Sequence, residues 1–188
     1  MRRGFKTEAE RLADRTRAQL GLQPHDPMSI RDLAAHLNLA IYPADDLVDR
    51  TELDELHQLQ PGAFSAATFH LPDGRTVIVS NPFNEPGRTN SDIAHEIAHL
   101  LLRHDVRELQ QIAGHTFFTC NPEQEEEANW LAGCLLLPRA LLLREAFAGS
   151  NPTTIAEKHH VSLPMARFRL NASGVLLQAQ RARSSRTR

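Results

Sequence analysis

Residues 95–99 read His-Glu-Ile-Ala-His and carry the clearest chemical signal in the chain. In a helix, His95 and His99 lie four residues apart on one face, where both imidazoles can reach one divalent cation. Glu96 is too close to the first histidine to share the metal easily, but it is well placed to take a proton from a metal-bound water. The spacing therefore predicts a hydrolytic metal site of the kind that peptidases use, provided that the chain supplies a third ligand.

The acidic run Glu125, Glu126 and Glu127 offers that third ligand. A catalytic zinc of this type takes two histidines and one carboxylate and leaves its fourth position to water. Glutamates in the first turns of a helix also suit the helix dipole and usually face solvent, so the run alone selects no ligand. Asn129 favours Glu125, because residues four apart share a helix face and the amide can hydrogen-bond a ligand histidine. Glu126 is the first substitute and Glu127 the second.

The elements that must position these residues follow from hydrophobic periodicity and from cap and turn residues. Asp73-Gly74 supplies the positive φ of a tight hairpin turn, and Asn121-Pro122 is a helix start signal. The predicted order is a helix over 5–20, a short helix over 29–37, a strand over 39–42, a helix or irregular lid over 45–60, a hairpin of 62–69 and 76–80, a loop over 81–90, the motif helix over 91–103, a short strand over 116–119, and helices over 121–137, 139–147 and 153–159.

Residues 155–170 have helix-turn-helix character, with Val161 in the turn and Ser162 capping the second helix. A DNA-binding role would use Arg167 and Arg169 against phosphates or bases. We favour a structural role, because only one such unit is present and the formal net charge is -2. Recognition of the substrate is a further alternative for this segment. The domain organisation is then a main domain of residues 1–150, a helical appendage of residues 151–178 and a basic tail of residues 179–188 that we expect to be disordered.

Composition and length indicate a single globular domain of 188 residues, of which 41% are hydrophobic and 23% charged. No apolar run approaches the roughly 20 residues that span a bilayer, and the first residues lead into a polar helix, so we expect a cytoplasmic protein that binds no membrane. Cys120 and Cys134 lack CxxC spacing and are expected to be reduced thiols. The slightly negative charge excludes a chain-wide binder of polyanions.

Two further histidines are candidates for the cleft around the metal. His104 follows His99 and can line the cleft, although a histidine exposed at the helix end, where it suits the dipole, is the preferred interpretation. His115 lies between the two ligand-bearing segments and can stabilise an oxyanion in the transition state, an interpretation that we favour less than a structural one. The adjacent pair His159 and His160 diverges on a helix, so no metal role is expected there.

The motifs together resemble the ImmA/IrrE family of zinc metallopeptidases. The resemblance rests on His-Glu-Ile-Ala-His-Leu-Leu at 95–101, on Glu-x-x-Ala-Asn-Trp-Leu-Ala at 125–132 and on Leu-Leu-Leu-Pro at 135–138, and it extends from about residue 8 to residue 177. Trp130-Leu131 departs from the family, which commonly has an aromatic residue just before Ala132; this bears on packing more than on chemistry. The implied fold is α+β, with a gluzincin-like core of a small mixed or antiparallel sheet and two ligand-bearing helices, and a C-terminal helical pair packed beside it.

The resemblance also implies a function. It predicts a metallo-endopeptidase that cleaves a helix-turn-helix repressor of a phage, a mobile element or a stress response. His95, His99 and Glu125 would bind Zn²⁺, with Mn²⁺ or Fe²⁺ as alternatives because metal availability also decides occupancy. Glu96 would be the general base and Asn129 would orient a ligand histidine. The alternative is a regulatory module that binds a repressor or DNA without cutting it, and the sequence leaves the oligomeric state open.

Overall fold

A computed structural model describes residues 1–62, 64–104, 109–112, 115–118 and 121–186; of residues 109–112, 115–118 and 186 it describes the backbone alone. The α+β class predicted from the sequence is confirmed. None of the helices in this part of the chain is long and apolar enough to cross a membrane.

The elements are α1 (Phe5–Gln19), α2 (Ile30–His36), β1 (Ala40–Pro43), a 3-10 turn (Ala44–Asp46), α3 (Arg50–Leu59), β2 (Ala66–His70), β3 (Thr76–Ser80), α4 (Pro86–Leu102), β4 (Leu109–Ile112), β5 (His115–Phe118), α5 (Pro122–Leu136), α6 (Arg139–Ala148), α7 (Pro152–Lys158), α8 (Leu163–Ala172) and α9 (Val175–Arg186).

The main sheet is mixed and has the strand order β1-β3-β2. β1 runs parallel to β3, while β2 and β3 form the predicted antiparallel hairpin. The Asp-Gly turn is present, with Gly74 at φ +85° and the Leu71 amide bonded to the Arg75 carbonyl at 2.8 Å. β2 is thus an edge strand. β4 and β5 form a separate two-stranded antiparallel hairpin.

Helices α4 and α5 pack against each other and carry the centre of the hydrophobic core. Ala94 and Ala98 on α4, and Ala128 and Ala132 on α5, are all 0% exposed. Such small residues let two packed helices approach closely, because the interaxial distance depends on the side chains at the contact. The polar side chains of α4 can then reach those of α5 across a short gap. The site residues lie at this gap.

The motif helix begins earlier than predicted, because residues 86–90 are helical and not loop. Pro86 occupies the first helical position, where its fixed φ and missing amide hydrogen favour a helix start. The next residue is Gly87, and a larger residue would not fit there, because its Cβ would lie 2.7 Å from the carbonyl oxygen of Val161. The helix ends at Leu102, and Arg103 adopts the left-handed conformation with φ 53°.

The helices after residue 150 share the core of the rest of the molecule. Ser162 caps α8 as predicted, its hydroxyl accepting from the Met165 amide at 3.2 Å. The expectation of a disordered tail from residue 179 is wrong for residues 179–186, which belong to α9. Ala179 is buried, and Arg183 Nη2 donates to the carbonyls of Ala146 and Phe147. These carbonyls lie in the last turn of α6, where helical donors run out, so Arg183 ties α9 to the end of that helix.

Arg169 is completely buried, which agrees with the structural role favoured for this segment and leaves this side chain unable to contact DNA. Its Nη2 donates to Glu10 Oε1 at 2.9 Å and to the Leu137 carbonyl at 3.1 Å, at the break between α5 and α6. Gly133 makes room for it, since a Cβ there would lie 2.8 Å from Arg169 Cγ. The arginine satisfies a carbonyl that the chain break leaves without a helical donor. Arg167 remains exposed.

Candidate metal centre

Among the residues that the structure describes, His95, His99 and Glu125 form a group able to hold a metal ion, with one ligand atom of each within 4.8 Å of the others. His95 Nε2 lies 3.0 Å from His99 Nε2 and 3.1 Å from Glu125 Oε2, and His99 Nε2 lies 3.4 Å from Glu125 Oε1. Metal–ligand bonds of about 2.0–2.1 Å in tetrahedral geometry put ligand atoms roughly 3.3 Å apart. The three side chains therefore fit one divalent cation of this kind.

Asn129 fixes the orientation of His95. Its Oδ1 lies 3.1 Å from His95 Nδ1, and both residues lie where α4 and α5 cross. An amide oxygen accepts only, so His95 carries its proton on Nδ1 and presents a lone pair at Nε2. This is the tautomer that a metal site needs, and the contact is of the kind that orients ligand histidines.

His104 performs the same task for His99, and the preferred expectation of an exposed histidine is wrong. Its Nδ1 lies 2.9 Å from His99 Nδ1, its Nε2 lies 3.6 Å from Glu127 Oε2, and its side chain is 7% exposed. The left-handed Arg103 turns the chain back so that the His104 amide bonds to the His99 carbonyl at 3.0 Å. The pKa of His104 is lowered, first by burial and then by His99, against the opposing effect of Glu127.

The tautomer of His104 sets where the protons lie in this chain of contacts. If its Nε2–H points to Glu127, its Nδ1 accepts from Nδ1–H of His99. His99 then presents Nε2 to the metal, as His95 does. Sequence reasoning missed this role of Glu127, because the residue lies on the helix face away from the predicted ligand and its partner depends on the turn at Arg103.

The other candidates for the third ligand are engaged elsewhere. Glu126 Oε2 accepts from the Met1 ammonium at 2.9 Å, and Glu127 Oε1 contacts the Arg2 amide at 3.3 Å. Each residue of a helix turns by about 100°, so the neighbours of Glu125 point away from the histidine pair. The structure brings Glu125 to the histidines and places the two predicted substitutes outside the ligand set.

Glu96 lies beside the centre and is 5% exposed. Thr68 Oγ1, on the edge strand β2, donates to Glu96 Oε2 at 2.8 Å. One turn earlier on α4, burial raises the pKa of Asp92, although Arg88 and Asn84 oppose this by donating to its carboxylate at 2.9 and 3.0 Å. Thr68 carried no signal in the sequence, because only the pairing of β2 with β3 and its packing on α4 bring it to Glu96.

A cavity of about 1180 Å³ opens over these residues. It is bordered by β2 and the residues before it, by α4, by the middle of α5 and by α8. Its described lining includes Ala66, Thr68, His70, His95, Glu96, His99, His104, Asn129, Trp130, Pro164, Met165, Phe168 and Ala172.

Two predicted residues lie outside the described residues in whole or in part. Residue 115 belongs to β5, but its side chain is not described, so the oxyanion role of His115 stays a prediction. Cys120 also lies outside. Cys134 is a buried free thiol whose pKa is raised, chiefly by burial.

Fold and site together define a metallopeptidase-type protein. Comparison with protein-family models matches residues 55–171 to the peptidase M78 family, described as the IrrE N-terminal-like domain. The match covers more than half of the chain and includes α4, α5 and nearly all of α8. The chain therefore belongs to this family, and the resemblance seen in the sequence is confirmed. No curated protein matches the chain.

Proposed function

We propose that the protein is a zinc-dependent endopeptidase that acts inside the cell on a helix-turn-helix transcriptional repressor. The observation that carries the proposal is the convergence of His95, His99 and Glu125 at separations that fit one tetrahedral ion, with Glu96 alongside. Family membership supports a peptidase. The repressor as substrate rests on the family resemblance and not on the geometry.

The side chains of the site have distinct tasks in this reaction. A bound zinc ion supplies Lewis acidity, which lowers the pKa of water and polarises the scissile carbonyl. Glu96 accepts the proton of the attacking water and passes it to the nitrogen of the leaving amine. Thr68 holds one oxygen of that carboxylate through its 2.8 Å hydrogen bond. Asn129 and His104 contact Nδ1 of the two histidines, which leaves Nε2 of each facing the metal site.

The edge strand offers a way to bind a peptide backbone. The bonds from Leu71 to Arg75 and from Asn81 to Ser65 set the register of β2 against β3. In an antiparallel pair the hydrogen-bonded residues alternate, so the backbone groups of Ala66, Thr68 and His70 point away from β3. An extended substrate segment can add to that edge by main-chain hydrogen bonds. Such binding favours a linker of the repressor over its folded helices.

The test is cleavage of a candidate repressor by the purified full-length chain after zinc loading. We expect discrete fragments in mass spectrometry, and no fragments after chelation or with the variant Glu96→Gln. Metal analysis of the protein as isolated identifies zinc, manganese or iron. A chain that binds no metal after loading, or a Glu96→Gln variant that still cleaves, would contradict the mechanism. Repressor binding without fragments would instead support the non-proteolytic alternative.

A further inference from the structure

Helix α8 presents an apolar row to the cavity above the metal centre. Pro164, Phe168 and Ala172 are spaced by four residues and so share one helix face, and all three line the cavity. Phe168 is 37% exposed, whereas the neighbouring Met165 is 8% exposed. A large aromatic side chain is thus left partly open to the cleft and not packed away in the core.

This row is continuous with the metal centre through α5. The rings of Trp130 and Phe168 meet edge to face, with centroids 5.4 Å apart and an interplanar angle of 88°. Trp130 directly follows Asn129, whose amide oxygen contacts His95. An apolar group seated against Phe168 and Trp130 would therefore lie in the cavity that also contains the reacting groups.

The polar groups around the cavity indicate what kind of molecule occupies it. β2 turns the backbone groups of Ala66, Thr68 and His70 outward, which suits a peptide in extended conformation. The charged side chains in the described lining are paired: Arg88 is bonded to Asp92 at 2.9 Å, and Glu126 to the Met1 ammonium at 2.9 Å. Lys6 places its Nζ 4.3 Å from the centroid of the Trp130 ring, so Phe168 is the more open aromatic surface of the two. An extended peptide sends alternate side chains to opposite faces, so one of them can enter the apolar region while the backbone stays on β2.

We propose that Phe168, with Trp130, Met165 and Pro164, forms a specificity subsite for a bulky apolar side chain of the peptide substrate. This rests on the proposed peptidase function and names its substrate class: extended segments with a large apolar residue near the scissile bond. Burial of such a side chain fixes the register of the peptide on the site. The transfer of one large apolar side chain changes affinity by roughly 10-fold to 100-fold.

The chain contains one tryptophan, which gives a direct binding signal. We would titrate acetylated and amidated decapeptides of Ser and Gly, in which one Phe is moved from position to position, into zinc-loaded Glu96→Gln protein. Trp130 fluorescence should respond to Phe peptides and not to the all-Ser/Gly peptide. Phe168→Gln should weaken Phe-peptide binding about 10-fold, and Phe168→Leu should largely preserve it. Phe147→Gln is the matched control, because Phe147 is 46% exposed and is absent from the cavity lining.

The subsite would be contradicted if Phe168→Gln bound the Phe peptides as tightly as the Glu96→Gln protein that retains Phe168. It would also be contradicted if Phe147→Gln lost as much affinity for these peptides as Phe168→Gln. Cleavage of the same peptides by protein with intact Glu96 separates this inference from the proposed function. Cleavage without preference for Phe peptides would contradict the subsite and support the peptidase function. Selective binding of Phe peptides without cleavage would support the subsite and contradict the peptidase function. Thermal melting of each variant shows that the comparison is made between folded proteins.

Discussion

Thr68 Oγ1 lies 2.8 Å from Glu96 Oε2 and joins the edge strand of the sheet to the carboxylate proposed as general base. The same strand turns the backbone groups of Thr68 away from β3, toward the edge where a peptide can bind. Binding of substrate and orientation of the base therefore involve one residue. A peptide added to β2 would be in register with the group that takes the proton.

Replacing Thr68 by Val should reduce turnover and leave substrate affinity nearly unchanged. The substitution removes a hydrogen bond to a carboxylate, a loss of about 1.5 kcal/mol, which corresponds to roughly 10-fold in kcat. Thr68→Ser keeps the hydroxyl and should recover most of the rate. Steady-state kinetics on a cleaved peptide, with kcat and KM measured separately, provide the readout.

Thr76→Val is the control for this pair, because Thr76 lies in the same hairpin but its hydroxyl pairs with His70 Nδ1 at 3.0 Å. The kcat of Thr76→Val should equal that of the unsubstituted protein. A Thr68→Val protein with normal kcat, or a Thr68→Ser protein as impaired as Thr68→Val, would show that the hydroxyl does not position Glu96.

Asn129→Ala should weaken zinc binding by about 10-fold to 100-fold, the range found when a group that orients a ligand histidine is removed. His95 would lose the acceptor for its Nδ1 proton and could turn or change tautomer. Asn129→Asp retains an oxygen acceptor and should bind zinc at least as well as Asn129→Ala. Competition with a chromophoric chelator measures the affinities.

Asn90→Ala serves as the comparison on α4, since the Asn90 amide donates to the His160 carbonyl at 3.0 Å and does not belong to the His95, His99 and Glu125 group. Unchanged zinc affinity in Asn129→Ala would mean that the 3.1 Å contact with His95 does not support the site.

The choice among the three adjacent glutamates is also testable. Glu125→Ala should abolish stoichiometric zinc binding, because the centre would lose its carboxylate ligand. Glu126→Ala should keep it, since that carboxylate binds the Met1 ammonium. Equilibrium dialysis followed by metal analysis distinguishes the two. Retention of zinc by Glu125→Ala, with loss in Glu126→Ala, would reverse the assignment.

Local rules predicted much of this fold and site from the sequence. The spacing of His95 and His99, and the spacing of Glu125 and Asn129, are helical repeats that place side chains on one face. The Asn121 cap and the Asp-Gly turn are likewise short-range signals, and both occur in the structure. The helix start at Pro86 is also a local signal, but the Asn, Pro and Gly residues of 81–90 together favour a loop in the sequence, so it was not predicted.

Contacts between residues distant in sequence were not predictable in this way. Thr68 reaches Glu96 only because β2 packs on α4. Arg169 resembles a solvent-exposed helix residue in the sequence, yet it is buried against Leu137 and Glu10. The tail from residue 179 has a composition typical of disordered segments. Its helix is nevertheless held by Arg183, which donates to the Ala146 carbonyl near the end of α6. In each case the partner lies on another element, so only the assembled fold identifies it.

Glu145 makes stability depend on acid pH, independently of catalysis. It is 1% exposed, and burial alone would raise its pKa. Hydrogen bonds from Lys158 (2.8 Å), Ser150 (2.7 Å) and His159 (3.1 Å) outweigh that effect and lower the pKa from 4.5 to about 2. A lowered carboxyl pKa contributes stability above pH 4.5 that is lost as the pH falls toward 2, by about 3 kcal/mol.

Urea unfolding of Glu145→Gln and of the unsubstituted protein should therefore differ more at pH 7 than at pH 3. The variant loses the charge that holds Lys158 and His159 at the end of α7. At pH 3 the unsubstituted protein gains less from this charge, because the carboxyl group takes up a proton when the chain unfolds. Glu157→Gln, an exposed change on the same helix, controls for general charge effects. Chelator at both pH values keeps metal release from contributing to the difference. The difference in free energy of unfolding between Glu145→Gln and the unsubstituted protein could instead be equally large at both pH values. That result would show that the ionised carboxylate is not what stabilises the contact between α6 and α7.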